Sequence, residues 1–435
     1  MRVSQYFHLG RAQATLDFVD VDVEADTPVF ISPRALTLVP SDWGDYCVHL
    51  VQDFFDTVLR LIKAKQHGEA EALLSTLREP NETHLGLSHG KSRGRALGEG
   101  SAHDVWGALS TSVAAATGLI TDLEDTILLI EGIDVDIISD ITTNIIREPL
   151  IAYTQEMASW YGIPLPHGVA SGPIWDGETH AWKNGFVDLP MANGAKLLLV
   201  PKAIVRTSQI YDVEEYYRHY LLEHMKSAEL AANSQLVQVL KDGRRKVTKK
   251  SLMEKYGAGK KAVIRETLKH PQVLAAYKKV KEDKPHLPLD QEDFSDLESV
   301  AQPDWDALLS AVISVPVGAE GADSYEKAVE ALITALFYPD LMFPKPQHQI
   351  HGGRKRIDIT YTNLATGSFF HWVAGHYPAA HLFVECKNYG NEVGNPELDQ
   401  LSGRFSPSRG KVGRYSYVET FRISNFFSPV AETLR

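Results

Sequence analysis

The spacing of apolar residues changes period several times along the chain, and each change marks an element. Residues 14–33, ATLDFVDVDVEADTPVFISP, alternate apolar with polar positions and predict strands and turns. From residue 46 the run YCVHLVQDFFDTVLRLIKAKQ repeats at three and four, and EAEALLSTLRE predicts a second helix after it. Helical spacing resumes over residues 104–133 and 134–162, the latter long enough for two helices. Residues 172–205 break into short apolar runs separated by Asp-Gly and Asn-Gly, which predict strands joined by tight turns. Helical patterning returns from 212. Residues 285–303 carry prolines and acids without periodicity and read as a linker. Beyond it the pattern predicts helices over 304–314 and 323–337 and strands over 347–351 and 355–362. An aromatic insertion over 368–377, a strand over 381–387, a helix over 396–405 and a strand over 411–418 follow. Pro339-Asp340, directly after a helix, reads as a turn.

The expected fold class is α/β, α+β taken over the whole chain. Residues 1–205 form a mixed α/β region without derived chemistry. Residues 206–284 form a helical basic region, 285–303 the linker, and 304–435 a C-terminal domain. A length of 435 residues has room for two or three domains of about 150 residues each. Two distant cysteines, Cys47 and Cys386, offer neither a disulfide framework nor zinc-ligand spacing, so a reducing, cytoplasmic location is expected. No run approaches the roughly 18 apolar residues of a membrane helix, and the first residues lack the core of a signal peptide. The net charge of −12 is unevenly spread. Residues 241–284 hold fifteen Lys and Arg against five Asp and Glu, a balance of +10 against −22 elsewhere. Such a block can meet a polyanion while the remainder keeps the protein in solution.

Candidate chemistry gathers near the C-terminus. In the strand LFVECKNY, alternation puts Leu382, Val384 and Cys386 on one face and Phe383, Glu385 and Lys387 on the other. The earlier strand RKRIDITYT carries Asp358 between Ile357 and Ile359. If the two strands pair, Asp358 and Glu385 converge, and two close carboxylates repel unless a proton or a cation lies between them. Mg²⁺ is held by one or two carboxylates and keeps several waters. A lysine beside it can orient water or stabilise developing negative charge. The plainer alternative is a sheet surface with exposed ion pairs.

Asp358 followed by Glu385-Cys386-Lys387 resembles the PD-(D/E)xK nuclease superfamily, the restriction-endonuclease-like fold. The order helix, three strands, helix, strand over about 304–418 is similar to that family's α-βββ-α-β core. Glu326, in SYEKAVEALITALF, matches its first-helix glutamate, although helical i,i+4 pairing also accounts for it. Gln400 and Arg404, in NPELDQLSGRF, match polar residues that follow the motif. The resemblance implies Mg²⁺, with Mn²⁺ as a substitute, on Asp358, Glu385 and the Cys386 carbonyl. It also implies that Lys387 serves the water nucleophile and that Glu326 assists. Ile357 stands where the motif has proline, and the final segment, ETFRISNFFSPVAETLR, does not supply the last helix and strand of many members.

Two other features bear on a nucleic-acid partner. Thr248 is positioned to cap a helix, YGAG breaks it, and a second helix starts near Lys260, a helix-turn-helix outline. Lys260, Lys261 and Arg265 would then face a groove or phosphates, or else dock on an acidic surface. Arg354, beside Lys355 and Arg356, would sit at the cleft mouth. The aromatic insertion SFFHWVAGHYP either stacks on bases or packs on the sheet. GLSHGKS has three residues between its glycines where a phosphate-binding Walker loop needs four. Asp136, Asp140 and Asn144 share a helix face and are read as a cation site, a partner site or a buried polar network. The expected protein is a Mg²⁺-dependent endonuclease acting on double-stranded DNA, a homodimer if it cuts both strands, with a prokaryotic antiviral defence or restriction role by analogy. The alternative is a nucleic-acid- or partner-binding protein with an inactive nuclease-like domain.

Overall fold

The computed structural model describes residues 1–86, 105, 107–110, 112, 114–115, 119–283, 286–298, 302–350, 355–377, 379–388, 395, 399, 405 and 412–417. The chain is a mixed α/β protein with one large apolar core in its N-terminal and middle parts and a second core under a C-terminal sheet. No described helix is long and apolar enough to cross a membrane.

Helix α1 (Asp42–Lys63) shows why the first part folds as it does. Ser41 accepts from Gly44 N, Asp42 and Asp45 sit in the first turn, and Arg60 and Lys63 in the last. Its apolar stripe of Cys47, Leu50, Val51, Phe54, Val58 and Leu61 is buried. Helices α2 (Val135–Ile145) and α3 (Arg147–Tyr161) divide the 134–162 pattern in two. Gly162, at φ 72°, ends α3 in the left-handed conformation that glycine tolerates. The strands expected over 14–33 are nearly absent: only Phe30–Ile31 forms one, paired with Val205–Arg206. The alternation misleads because the polar positions are buried too. Asp17 and Asp20 are almost fully covered. Gln13 donates to Phe18 O at 3.0 Å and accepts from Asp20 N at 2.7 Å, so side chains satisfy backbone that a ladder would otherwise serve.

The basic region follows helix α4 (Leu222–Ala231). A hairpin of β1 (Gln238–Val239) and β2 (Arg245–Lys246) leads into α5 (Lys249–Tyr256), capped by Thr248 as expected. Gly257 and Gly259, at φ 81° and 77°, turn the chain into α6 (Lys260–Lys269), and α7 (Pro271–Glu282) follows. Residues 285–303, expected as an open linker, instead carry α8 (Gln291–Glu298). Leu289 and Phe294 are buried in the large core, and Lys202 lies over the Phe294 and Tyr338 rings. Two well-spaced apolar residues suffice to dock this acidic segment, too few to register as a period.

The C-terminal part opens with α9 (Trp305–Ile313), capped by Asp304, and α10 (Ala322–Phe337). A turn at 338–340 leads into β3 (Leu341–Ile350), β4 (Lys355–Asn363), α11 (Ser368–His376), β5 (His381–Lys387) and β6 (Val412–Tyr417). The sheet order is β3-β4-β5-β6, antiparallel at the first two contacts and parallel at the last. Ile357, Ile359 and Tyr361 alternate onto one face, where Ile359 and Tyr361 pack with Val329, Leu332, Leu382 and Val384. On α11, Phe370 and Val373 face inward while Phe369, Trp372 and Tyr377 are exposed.

Candidate active site

The register of β4 and β5 assembles the site. The antiparallel ladder ends at the Ile359–Val384 pair, and continuing that register one step brings Asp358 level with Glu385. Directly opposed residues share a face, with Cβ atoms about 4.5–5.5 Å apart. Lys387, two residues on from Glu385, shares it as well. Cys386 N donates to Asp358 Oδ2 at 2.8 Å, which pins one carboxylate oxygen to the neighbouring strand. Glu385 is fully buried, and Lys387 Nζ donates to its Oε2 at 3.4 Å. Phe405 stacks on Phe383 at 6.1 Å and covers this face further along.

Helix α10 adds Glu326. Gln347 Nε2 donates to both of its carboxylate oxygens at 2.6 Å. Burial pushes the Glu326 carboxyl up to about 7; the Gln347 bond opposes that shift and the nearby Asp358 charge reinforces it. Glu326 and Asp358 therefore feel each other across the site. Gln347 reaches inward from an irregular stretch of β3, where Phe343 and Gln347 adopt φ 53° and 52° around a break in register between Met342 and Lys345. Such left-handed backbone is uncommon for residues other than glycine.

A further residue, Asn388, holds the two halves of the site together. Its Nδ2 donates to Pro316 O and Gly318 O, both at 2.8 Å, and its carbonyl accepts from Gly318 N at 3.0 Å. These bonds tie the end of β5 to the loop that launches α10. Gly321 permits the approach: a Cβ there would lie 2.3 Å from Pro316 O. Neither Asn388 nor Gln347 was singled out from the sequence. An asparagine after a strand reads as a turn residue, and a strand glutamine carries no signal.

Cys386 is half-buried against the core, and burial first, then the Asp358 and Glu326 charges, pushes its thiol well up. It is therefore no thiolate nucleophile. Among the described residues, no three His, Cys, Asp or Glu side chains form a metal-binding group. The expected ligand set contains only two side chains, Asp358 and Glu385, the third group being a backbone carbonyl. Two carboxylates at one level of the sheet, beside a third whose protonated form burial and the Asp358 charge favour, would suit a hard cation that keeps part of its water. Arg354, Gln400 and Arg404 lie outside the described residues.

The basic region differs from expectation. Lys260 Nζ donates to Ile133 O at 3.1 Å, and burial lowers its pKa to about 8. Arg265 pairs with Glu266 at 2.8 Å and donates to Tyr256 O. Of the three cations expected to face a groove, Lys261 and Arg265 keep exposed side chains, 83% and 52%, while Lys260 turns to the Ile133 carbonyl. In the N-terminal region, Asn144 donates to Arg78 O and Asp140 O and accepts from Arg147, so it belongs to a buried polar network.

Contacts to α10 and β3 join the N-terminal region to the site-bearing part. Arg11 pairs with Glu330 Oε2 of α10 at 2.8 Å, one turn beyond Glu326, and Tyr161 OH donates to Glu330 Oε1 at 3.3 Å. Asp17 accepts from Phe343 N of β3 at 2.8 Å and from Tyr153 OH at 2.7 Å.

Residues 8–212 match the family model of a domain of unknown function, DUF8370. The match contains Arg11, Asp17, Tyr153 and Tyr161 but none of the candidate site residues. No curated protein and no solved structure matches the chain.

Proposed function

We propose that the protein is a Mg²⁺-dependent endonuclease of the PD-(D/E)xK type that hydrolyses phosphodiester bonds in DNA. Support for this reading comes from the β4–β5 register: extended one step past the Ile359–Val384 pair, it would bring Asp358 level with Glu385, and alternation gives Lys387 the same face. Asp358, Glu385 and the Cys386 carbonyl would hold the cation, for which Mn²⁺ can stand in. When bound, the cation supplies Lewis acidity to the phosphate and lowers the pKa of water. Lys387 then orients the attacking water and offers positive charge to the phosphoryl oxygens as they gain charge. Glu326, whose carboxyl titrates near 7, is suited to accept the proton that the water loses. The water oxygen bonds to phosphorus, the ester bond to the leaving oxygen breaks, and the leaving oxygen takes a proton from solvent.

Plasmid incubated with Mg²⁺ tests the reading, with Asp358→Ala and Lys387→Ala alongside. Cleavage by the wild type that is lost in both variants supports it. Cleavage unchanged in both removes the site assignment. Salt-sensitive binding without cleavage favours the alternative, a binding protein built on an inactive nuclease-like domain. One such site cuts one strand, so linear product from a single encounter would imply two copies acting together. A defence or restriction role rests on analogy of architecture.

A further inference from the structure

We propose that the β1–β2 hairpin, with Lys250 at the start of α5, is the surface that grips duplex DNA. The choice of partner rests on the nuclease reading; the surface itself is argued from charge and exposure. The basic block carries a balance of +10, but much of it is neutralised within the molecule. Lys255 pairs with Glu229, Arg265 and Lys269 with Glu266, Lys278 with Asp122 and Asp125, and Lys281 with Glu215. Lys249 lies between Arg218 O and Glu223, and Lys260 against Ile133 O. What remains includes Lys261 on α6 and Lys279 on α7, but most of it lies on the hairpin and the start of α5. Every residue from Gln238 to Lys246 is exposed, and so is Lys250. The side chains of Lys241, Lys246 and Lys250 make no hydrogen bond or ion pair among the described residues. Arg244 is tied only to Asp242 within the turn.

Shape and composition favour duplex DNA over other polyanions. A two-stranded ribbon fits the major groove, which is about 12 Å wide. Val239 is 71% exposed and rests on nothing that would make it core; aliphatic side chains of this kind contact thymine methyl groups in the groove. Lys241, Lys246 and Lys250 would meet flanking phosphates. Residues 231–250 contain no Phe, Trp or Tyr, the residues that seat a segment in a lipid interface. In a chain of net charge −12, attraction to DNA has to come from such a local patch.

The test measures fluorescence anisotropy of a labelled 30-base-pair duplex in EDTA, from 50 to 200 mM salt, with the full chain. The triple variant Lys241→Gln/Lys246→Gln/Lys250→Gln is expected to bind at least tenfold more weakly at 50 mM salt. Its slope of log affinity against log salt should be shallower by about 2–3, near 0.9 per lost phosphate contact. An unchanged circular-dichroism melt checks that the fold is intact. Equal affinity and slope in wild type and variant overturn the proposal. So does a loss seen only with Lys261→Gln, which moves the surface to α6. Binding to an RNA duplex or to phosphatidylserine vesicles in preference to DNA also overturns it. Asp358→Ala separates the two readings. Hairpin-dependent binding with no cleavage by wild type sinks the nuclease and leaves the hairpin. Cleavage lost in Asp358→Ala, with the triple variant binding as wild type, does the reverse.

Discussion

Asp17 illustrates how one buried side chain sets a pH dependence. Burial raises its carboxyl from an ordinary value near 4 to about 6, against the lowering effects of the Tyr153 and Phe343 bonds and Lys202. The folded-state pKa is above the unfolded one, so Asp17 costs the fold nothing below pH 4. Between pH 4 and 6 the unfolded chain ionises first, and stability declines. Above pH 6 the loss is constant, about 3 kcal/mol for a shift of roughly two units. Asp17→Asn, which resembles the protonated acid, should remove this decline. Urea titrations at pH 4, 5, 6 and 7 should then show wild type losing about 3 kcal/mol relative to the variant. A parallel pair of curves would contradict the assignment. Lys387 acts on chemistry instead: Lys387→Ala should lower the single-turnover cleavage rate by about 10²–10³-fold while leaving DNA affinity in EDTA unchanged.

At the scale of elements, the site depends on how α10 is held against β5. The Asn388 bonds and the close approach at Gly321 fix the loop between them. Gly321→Ala pushes a methyl into the Pro316 carbonyl, so stability should fall by about 1–3 kcal/mol. Asn388→Asp replaces two donated bonds with repulsion between a carboxylate and two carbonyls. Both variants should lose cleavage rate more than substrate affinity, because they displace Glu326 without touching the hairpin. A change confined to thermal stability, with kcat and KM unaltered, would show that the loop serves only the fold.

At the scale of the molecule, the N-terminal region and the C-terminal sheet are not independent pieces on a tether. The Arg11–Glu330 pair is buried, Gln291 Nε2 donates to both Ala14 O and Ala335 O, and Tyr338 lies in the large core. Arg11→Ala leaves Glu330 buried without its cation and should destabilise the protein by about 3–5 kcal/mol. Arg11→Met combined with Glu330→Leu should recover much of that loss in urea unfolding. Residues 304–435 expressed alone should lack a cooperative melt, because Glu330, Phe343 and Tyr338 would lose their partners. A sharp transition from that fragment would show the C-terminal part to be self-sufficient.

Local signals carried the elements they could reach. Thr248, the glycines at 257 and 259 and the period-two runs around Asp358 and Glu385 were legible because caps, turns and alternation act over a few residues. The pairing of the strands that carry Asp358 and Glu385 was legible too, since alternation gave each strand a core face that had to meet the other's. Residues 14–33 misled because alternation cannot distinguish a solvated face from buried acids that find partners far away in sequence. Gln347 and Asn388 were silent because their roles depend on loops and bulges meeting at a distance. That Lys260 turns to the Ile133 carbonyl was silent as well, because charge counting does not reveal which side chains a fold draws in. The chain by itself determined the capped and periodic helices, the C-terminal strands and which side chains are chemically capable. Only the tertiary structure decided which charges are neutralised within the molecule and which remain exposed, because burial and pairing are properties of neighbours distant in sequence.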